Sequence, residues 1–156
     1  MTNKVHLYDL VKESFLLLDF GDRYFFEQYG LTVSRYYALR HIASTPGMSP
    51  TRLSQCMFCD KSNITRLLQG LEHDGYVERQ SHARDRRVQC LYLTPAGASL
   101  EACVTEKHRH YIEERLAALE DDAVEQMTDL LCGLNYTLAE ALHRSQPALR
   151  LSEDLN

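Results

Sequence analysis

Two short runs of side chains carry the most distinctive chemistry in the chain. The first is Lys61-Ser62-Asn63-Ile64-Thr65-Arg66, which gathers two cations, an amide and two hydroxyls within six residues. Lys and Arg match the guanine O6/N7 pair, Asn matches adenine N6/N7, and Ser or Thr can bond to base edges or phosphates. The second run is Arg84-Asp85-Arg86-Arg87. Counting Arg79, four like charges near one tight turn repel one another unless an anion lies close. A narrow minor groove supplies one, because its negative potential attracts inserted arginine. Asp85 can pair with Arg87 and brace the tip, leaving Arg86 to reach the groove; which of Arg86 and Arg87 inserts stays open, and Arg84 flanks them. The plain alternative for both runs is a solvated surface.

These side chains must be held by something, and the apolar spacing says what. Residues 5–28 read as a helix whose stripe (Leu7, Leu10, Val11, Phe15, Leu17, Leu18, Phe25) is so wide that it must be buried on more than one side. Either that helix is central to the domain or it packs on a second chain. A helix over 33–45 can be capped by Thr32 or Ser34, with Tyr36, Leu39, Ile42 and Ala43 inward. Pro46-Gly47 stops it. Ser49-Pro50 starts a short helix that ends near Met57. Asp60 can cap a helix over 61–74 that buries Ile64, Leu67, Leu68 and Leu71, and Gly75 ends it. Tyr76-Val77-Glu78-Arg79 and Val88-Gln89-Cys90-Leu91-Tyr92-Leu93 then alternate as strands, with the arginine run at the tip of their hairpin. Helices over 95–118 and 121–143 follow, and the last shows a coiled-coil-like seam at Val124, Met127, Leu131, Leu134, Leu138 and Ala141.

Helix–turn–helix followed by a two-stranded hairpin is the winged helix-turn-helix plan. The expected class is mainly α (α+β), with long N- and C-terminal helices that bury their stripes against a second copy. The expected division is residues 1–32 for the N-terminal dimerisation helix and 33–95 for the winged lobe. Residues 96–146 form the C-terminal dimerisation helices and 147–156 a tail. On this plan Lys61, Ser62, Asn63, Thr65 and Arg66 face the major groove of double-stranded DNA. Ser49, Thr51 and Arg52 open the preceding helix and can hold backbone phosphates at its N-terminus.

The composition suits this reading. The chain has 156 residues and a net charge of −5, with 44% apolar and 25% charged residues, the mix of an ordinary globular protein. Between Ser49 and Pro95 seven basic and five acidic residues leave +2, whereas the remainder, ten basic and seventeen acidic, carries −7. A mildly basic centre inside an acidic frame points to a local anionic partner. No apolar run approaches a membrane span and no signal-peptide plan is visible, so the expected place is the cytoplasm, with no membrane partner. Five scattered cysteines do not make a disulfide scaffold. There is no glycine-rich phosphate loop, no recognisable nucleophile triad and no paired carboxylates, so no enzyme activity and no cofactor are expected.

Ser62-Asn63-Ile64-Thr65-Arg66-Leu67-Leu68, Leu71-Glu72, Gly75-Tyr76-Val77 and Arg79 together resemble the recognition helix and first wing strand of MarR-family transcriptional regulators. Asp85-Arg86-Arg87 and Tyr92-Leu93-Thr94-Pro95-Ala96-Gly97 resemble the wing and the following helix start of the same family. The resemblance covers nearly the whole chain. It implies a homodimer joined by its terminal helices and bound to a pseudo-palindromic operator. It also implies a repressor that is released by a small aromatic or phenolic effector, with an effector pocket between the dimer helices and the DNA-binding lobe. Arg23, Tyr37, Arg40 and His41 are candidates to line it, against the alternative that these aromatics are core. One departure stands out: Phe58 occupies the turn where the family usually carries Gly, so a different turn geometry is expected.

Cys56-x2-Cys59 invites zinc or redox chemistry, but a structural zinc site needs four ligands and no second pair exists. No metal is expected, and Cys59 is read as a small buried hydrophobe. Two alternatives remain: a DNA-binding regulator that responds to thiol oxidation, and a winged-helix module that binds a partner protein. The arginine-rich wing disfavours the latter.

Overall fold

The computed structural model describes residues 3–81 and 89–145. Its elements are α1 (Lys4–Glu27), α2 (Val33–Ser44), α3 (Pro50–Cys56), α4 (Lys61–His73), β1 (Val77–Ser81), β2 (Gln89–Leu93), α5 (Pro95–Leu116) and α6 (Asp121–Ser145). The fold is mainly helical with one small antiparallel sheet, as the pattern predicts, and the chain divides into two compact units, Met1–His108 and Arg109–Asn156.

The helix starts follow local chemistry. Asn3, Thr32, Ser49 and Asp60 each cap a helix by accepting backbone N–H bonds, and Pro50 stands in the first turn of α3. Three helix ends share one device. After α1, Gly30 N–H donates to Glu27 O (3.0 Å) and Leu31 N–H to Phe26 O (3.1 Å). After α4, Gly75 N–H donates to Glu72 O (3.0 Å) and Tyr76 N–H to Leu71 O (2.9 Å). After α3, Phe58 N–H donates to Gln55 O (3.2 Å) and Cys59 N–H to Ser54 O (3.1 Å). This pattern needs a left-handed residue at its centre. Gly30 and Gly75 supply φ of 66° and 74° at no steric penalty, whereas Phe58 is held at φ 51°. The expectation of a different turn geometry is therefore corrected: the turn keeps the glycine-type conformation, because the paired hydrogen bonds and the Ser54 hydroxyl, bonded to Cys59 O at 2.6 Å, hold it there.

The core of the first unit forms where α1's last turn meets α2, α4, the sheet and α5. Phe25, Phe26, Tyr36, Leu39, Ile42, Leu53, Ile64, Leu68, Leu71, Leu91 and Val104 are buried. Phe26 stacks on Tyr36 with centroids 4.2 Å apart, and the Tyr36 hydroxyl lies 3.1 Å from Thr105 Oγ1. Ala38 is buried in α2 while Ala43 is only half-buried, and Leu67 of α4 is half-buried rather than inside. Of the wide stripe on α1, only Phe25 is in the core, with Phe26 beside it. Leu7, Leu10, Phe15, Leu17 and Leu18 are exposed in the single chain, which removes the central-helix option.

β1 pairs β2 from Val77↔Leu93 to Ser81↔Gln89. The first strand begins one residue later than its texture suggests, because the Tyr76 N–H closes α4 and its carbonyl accepts from Thr94 N–H (3.0 Å). Gly47, at φ 85°, turns the chain so that Met48 bridges Leu91 on the free edge of β2. The residues of the hairpin tip, with Arg84, Asp85, Arg86 and Arg87, lie outside the described residues.

The Thr94-Pro95-Ala96-Gly97 start of α5 is explained by this junction. Thr94 Oγ1 donates to Gly75 O (2.6 Å) and accepts from Gly97 N–H (3.0 Å). A Cβ on Gly97 would stand 2.0 Å from the Tyr76 carbonyl oxygen. Backbone cannot give way as a side-chain end can, so Gly97→Ala is expected to destabilise the fold by about 1–3 kcal/mol or more. Urea unfolding reads this, and an unchanged midpoint would show that the junction is looser than the geometry says.

In the second unit, Asp121 and Asp122 occupy the first turn of α6, where negative charge suits the helix N-terminus. Val124, Met127, Leu131 and Leu138 of the predicted seam are all exposed in the single chain.

Candidate nucleic-acid interface

Helix α4 is built as a presenting element. Ile64, Leu68 and Leu71 bury one face, and the helix is tied down at its far end by two ion pairs. Arg35 from α2 pairs with Asp74 and reaches toward Gly70 O (3.5 Å), and Arg79 of β1 meets Glu72 at 2.8 Å. Arg79 is thus neutralised on α4. Of the four like charges counted near the turn, Arg79 therefore has an acidic partner on α4. With 3.6 residues per turn, the face opposite the buried stripe is centred on Ser62, Arg66, Gln69 and His73, with Asn63 and Thr65 on its flanks. Ser62, Asn63, Thr65 and Arg66 are exposed there, and Lys61, one turn before Ile64 on the buried side, is exposed at the helix start. Gln69 and His73 were not among the residues expected from sequence, although the same 3.6-residue period would have found them.

The first turn of α4 is organised by Asp60. Its Oδ1 accepts from the Asn63 N–H (2.8 Å) and from the Ser62 hydroxyl (2.6 Å), and its Oδ2 accepts from the Asn63 side-chain amide (2.8 Å). The Asn63 amide oxygen and second N–H remain for an adenine edge. Thr65 Oγ1 donates to Lys61 O (2.8 Å), which leaves that hydroxyl with acceptor capacity only. Ser49 uses its hydroxyl oxygen to cap α3 through Arg52 N–H (3.1 Å), Arg52 is half-buried, and Thr51 is exposed. All three sit at the start of α3.

The hydrogen bonds from Ser62 and then from Asn63 N–H hold the Asp60 carboxyl below its ordinary value of 3.8, and the bond from Arg35 does the same for Asp74. A carboxyl depressed in the folded state adds stability above its unfolded pKa. That contribution is lost as pH falls through the folded value. Thermal melting followed from pH 5 down to pH 2 should therefore show a fall concentrated below about pH 4 that is shallower in Asp60→Asn and Asp74→Asn. Equal slopes in all three proteins would show that neither carboxyl carries this linkage.

A cavity of about 380 Å³ lies between the start of α2 and α4, with Arg35, Met57, Cys59, Asn63, Arg66 and Leu67 among its lining. Cys59 is half-buried there rather than fully buried, because the turn before α4 leaves its side chain at the cavity wall; Cys56 is half-buried too. The candidate effector residues lie on α1 (Arg23) and α2 (Tyr37, Arg40 and His41). Arg23 pairs with Asp19 and lines a separate space of about 440 Å³ with Glu27, Leu31 and Thr32. Tyr37 packs edge-on to Phe26 and Tyr36, and burial, followed by the Asp22 charge, raises its phenol pKa, so it stays a hydrogen-bond donor. Burial, with Arg40 beside it, lowers His41, so the imidazole is neutral near pH 7 and Arg40, exposed, is the cation of the pair. Of the two α5 histidines, His108 is 3% exposed with Nε2 3.1 Å from Asp22 Oδ1, and His110 is exposed.

Comparison with known proteins agrees with this geometry. A family model described as MarR family matches residues 29–88. The chain is 30% identical over 115 residues to a proposed transcriptional regulatory protein for the hcr operon of Thauera aromatica, covering 74% of this chain but 64% of that relative. Among solved structures, Streptococcus pneumoniae FabT in complex with DNA superposes with a TM-score of 0.75 at 19% identity, covering 89% of this chain and 99% of that one. A mutant of Escherichia coli MarR complexed with operator DNA gives 0.77 at 22% identity, covering 83% and 94%. Likeness at these identities is one of fold.

Proposed function

We propose that the chain is a member of the MarR family and a sequence-specific DNA-binding transcriptional regulator that works as a homodimer. The observation that carries this reading is the split of α4: one face is locked into the core, while Lys61, Ser62, Asn63, Thr65 and Arg66 of its first two turns are exposed to solvent. Such a helix start fits the major groove. Relatives named as transcriptional regulators and structural neighbours solved with DNA support it. The exposed apolar stripes of α1 and α6 are the surfaces a second copy covers. The protein acts in the cytoplasm as a repressor. It is released by a small aromatic or phenolic acid whose carboxylate is met by Arg40 and whose ring is met by Tyr37, with neutral His41 as a hydrogen-bond partner.

The test is selection of binding sites from a random-sequence duplex pool by the full chain, followed by fluorescence anisotropy. A half-site repeated about one helical turn away is expected. Failure to enrich any sequence would overturn the reading. Titration of 4-hydroxybenzoate into the complex then reads effector release.

Thiol chemistry is not needed in this reading. The Cys56→Ser/Cys59→Ala double variant should keep its DNA affinity and its response to the effector while losing some stability, since both side chains are partly packed. If peroxide releases the parent protein from DNA and does not release the variant, the thiols carry the signal instead.

A further inference from the structure

We infer that Phe58 is itself a DNA-contact residue, its ring seated on the thymine-methyl and deoxyribose surface at the edge of each half-site; the inference rests on the DNA-binding reading above. The chain supplies its own control. Three helices end in the same pair of hydrogen bonds, and two of them place Gly at the left-handed centre, Gly30 and Gly75. The third places Phe58, the one non-glycine residue at positive φ among the described residues. A side chain in that conformation is disfavoured by the approach of its Cβ to the following carbonyl oxygen. The ring does not offset this by packing, because Phe58 is 68% exposed. Phe58 therefore opposes folding in backbone conformation and gains little from burial.

The reason for a large apolar ring there lies outside the free chain, and its position says where. Phe58 stands two residues before Asp60, the cap of α4, so its Cα lies within about 8 Å of that cap. Whatever the first turn of α4 approaches, Phe58 approaches with it. In duplex DNA the apolar surfaces within reach of such a ring are the thymine methyl in the major groove and the deoxyribose edge beside the phosphates. Covering about 60 Å² of ring there corresponds to about tenfold in affinity.

The experiment compares the parent protein with Phe58→Gly, Phe58→Asn and Phe58→Tyr on a duplex that the parent selects from a random pool. Gly and Asn both tolerate the left-handed conformation, so neither should melt below the parent. Both should bind about tenfold more weakly, with the slope of affinity against salt unchanged because no cation is removed. Phe58→Tyr should bind within about twofold of the parent. Replacing half-site thymines by uracil separates the two surfaces. A weakening at one position in the parent but not in Phe58→Gly identifies a methyl contact, and no weakening at any position identifies deoxyribose. If Phe58→Gly and Phe58→Asn bind like the parent while Arg66→Ala is weakened, this inference falls and the DNA-binding reading stands. A lowered melting temperature in both would assign the ring to folding and also overturn it. If the parent enriches no duplex, both readings fall together.

Discussion

A Leu10→Glu/Leu18→Glu double variant will sediment as a monomer at micromolar concentration and bind its selected duplex at least about a hundredfold more weakly. Both leucines lie on the α1 stripe and are exposed in the single chain, while the core of the first unit draws only on Phe25 and Phe26 at the helix's last turns. The substitutions therefore leave the winged lobe's packing untouched. Across a two-fold interface they remove four leucines, worth about 1.5–3 kcal/mol each when fully buried, and put four carboxylates in their place. A loss of at least about 6 kcal/mol moves a nanomolar association to tens of micromolar or weaker. DNA affinity falls with it, because a monomer engages one half-site and forfeits the linkage that makes the second engagement nearly intramolecular. Circular dichroism checks that the helices persist. A variant that still sediments as a folded dimer would exclude the α1 stripe from the interface.

The second large effect separates the recognition helix from the hairpin. Arg66→Ala or Asn63→Ala should cost about 1–3 kcal/mol on the selected duplex and relax preference at one position of each half-site, as removal of a bidentate base interaction does. Arg86→Ala should weaken binding to all sequences and lower the salt slope by about 1 for each counterion-releasing interaction removed. Asn63 carries a further consequence of the geometry. Its amide is already ordered by Asp60, so part of the entropy of fixing that side chain is lost on folding rather than on binding. Asp60→Ala should accordingly weaken DNA binding more than its distance from the base edges suggests, since it removes both the cap and the orientation of Ser62 and Asn63. Anisotropy at several salt concentrations reads each of these variants and Arg87→Ala. If Arg86→Ala and Arg87→Ala both bind like the parent at every salt concentration, the hairpin is not a minor-groove wing. If the α4 variants are also unchanged, the helix does not read DNA and a protein partner becomes the better reading.

What could be read from the chain by itself was whatever short range decides. Thr32, Ser49 and Asp60 cap helices because a side-chain oxygen reaches an N–H two or three residues on, and the apolar period of α4 announces Ile64, Leu68 and Leu71 as its inner face. The order of elements and the polar half of α4 follow from the same local rules. Other features depended on partners distant in sequence. The wide stripe of α1 left two options open, and only the packing of Phe25 and Phe26 showed that the rest of the helix stays outside the core. Arg79 looked like a free cation until Glu72 met it across the α4–β1 junction, and Arg35 finds Asp74 from 39 residues away. His108 and Asp22 are 86 residues apart. Gly97 stood out as a motif, but its reason is a carbonyl of Tyr76 that arrives only when the sheet and α5 come together. Phe58 is the sharpest case. Local preference argues against a left-handed phenylalanine, and the paired hydrogen bonds that close α3 override it, because satisfying buried backbone groups is worth more than the steric penalty of one side chain.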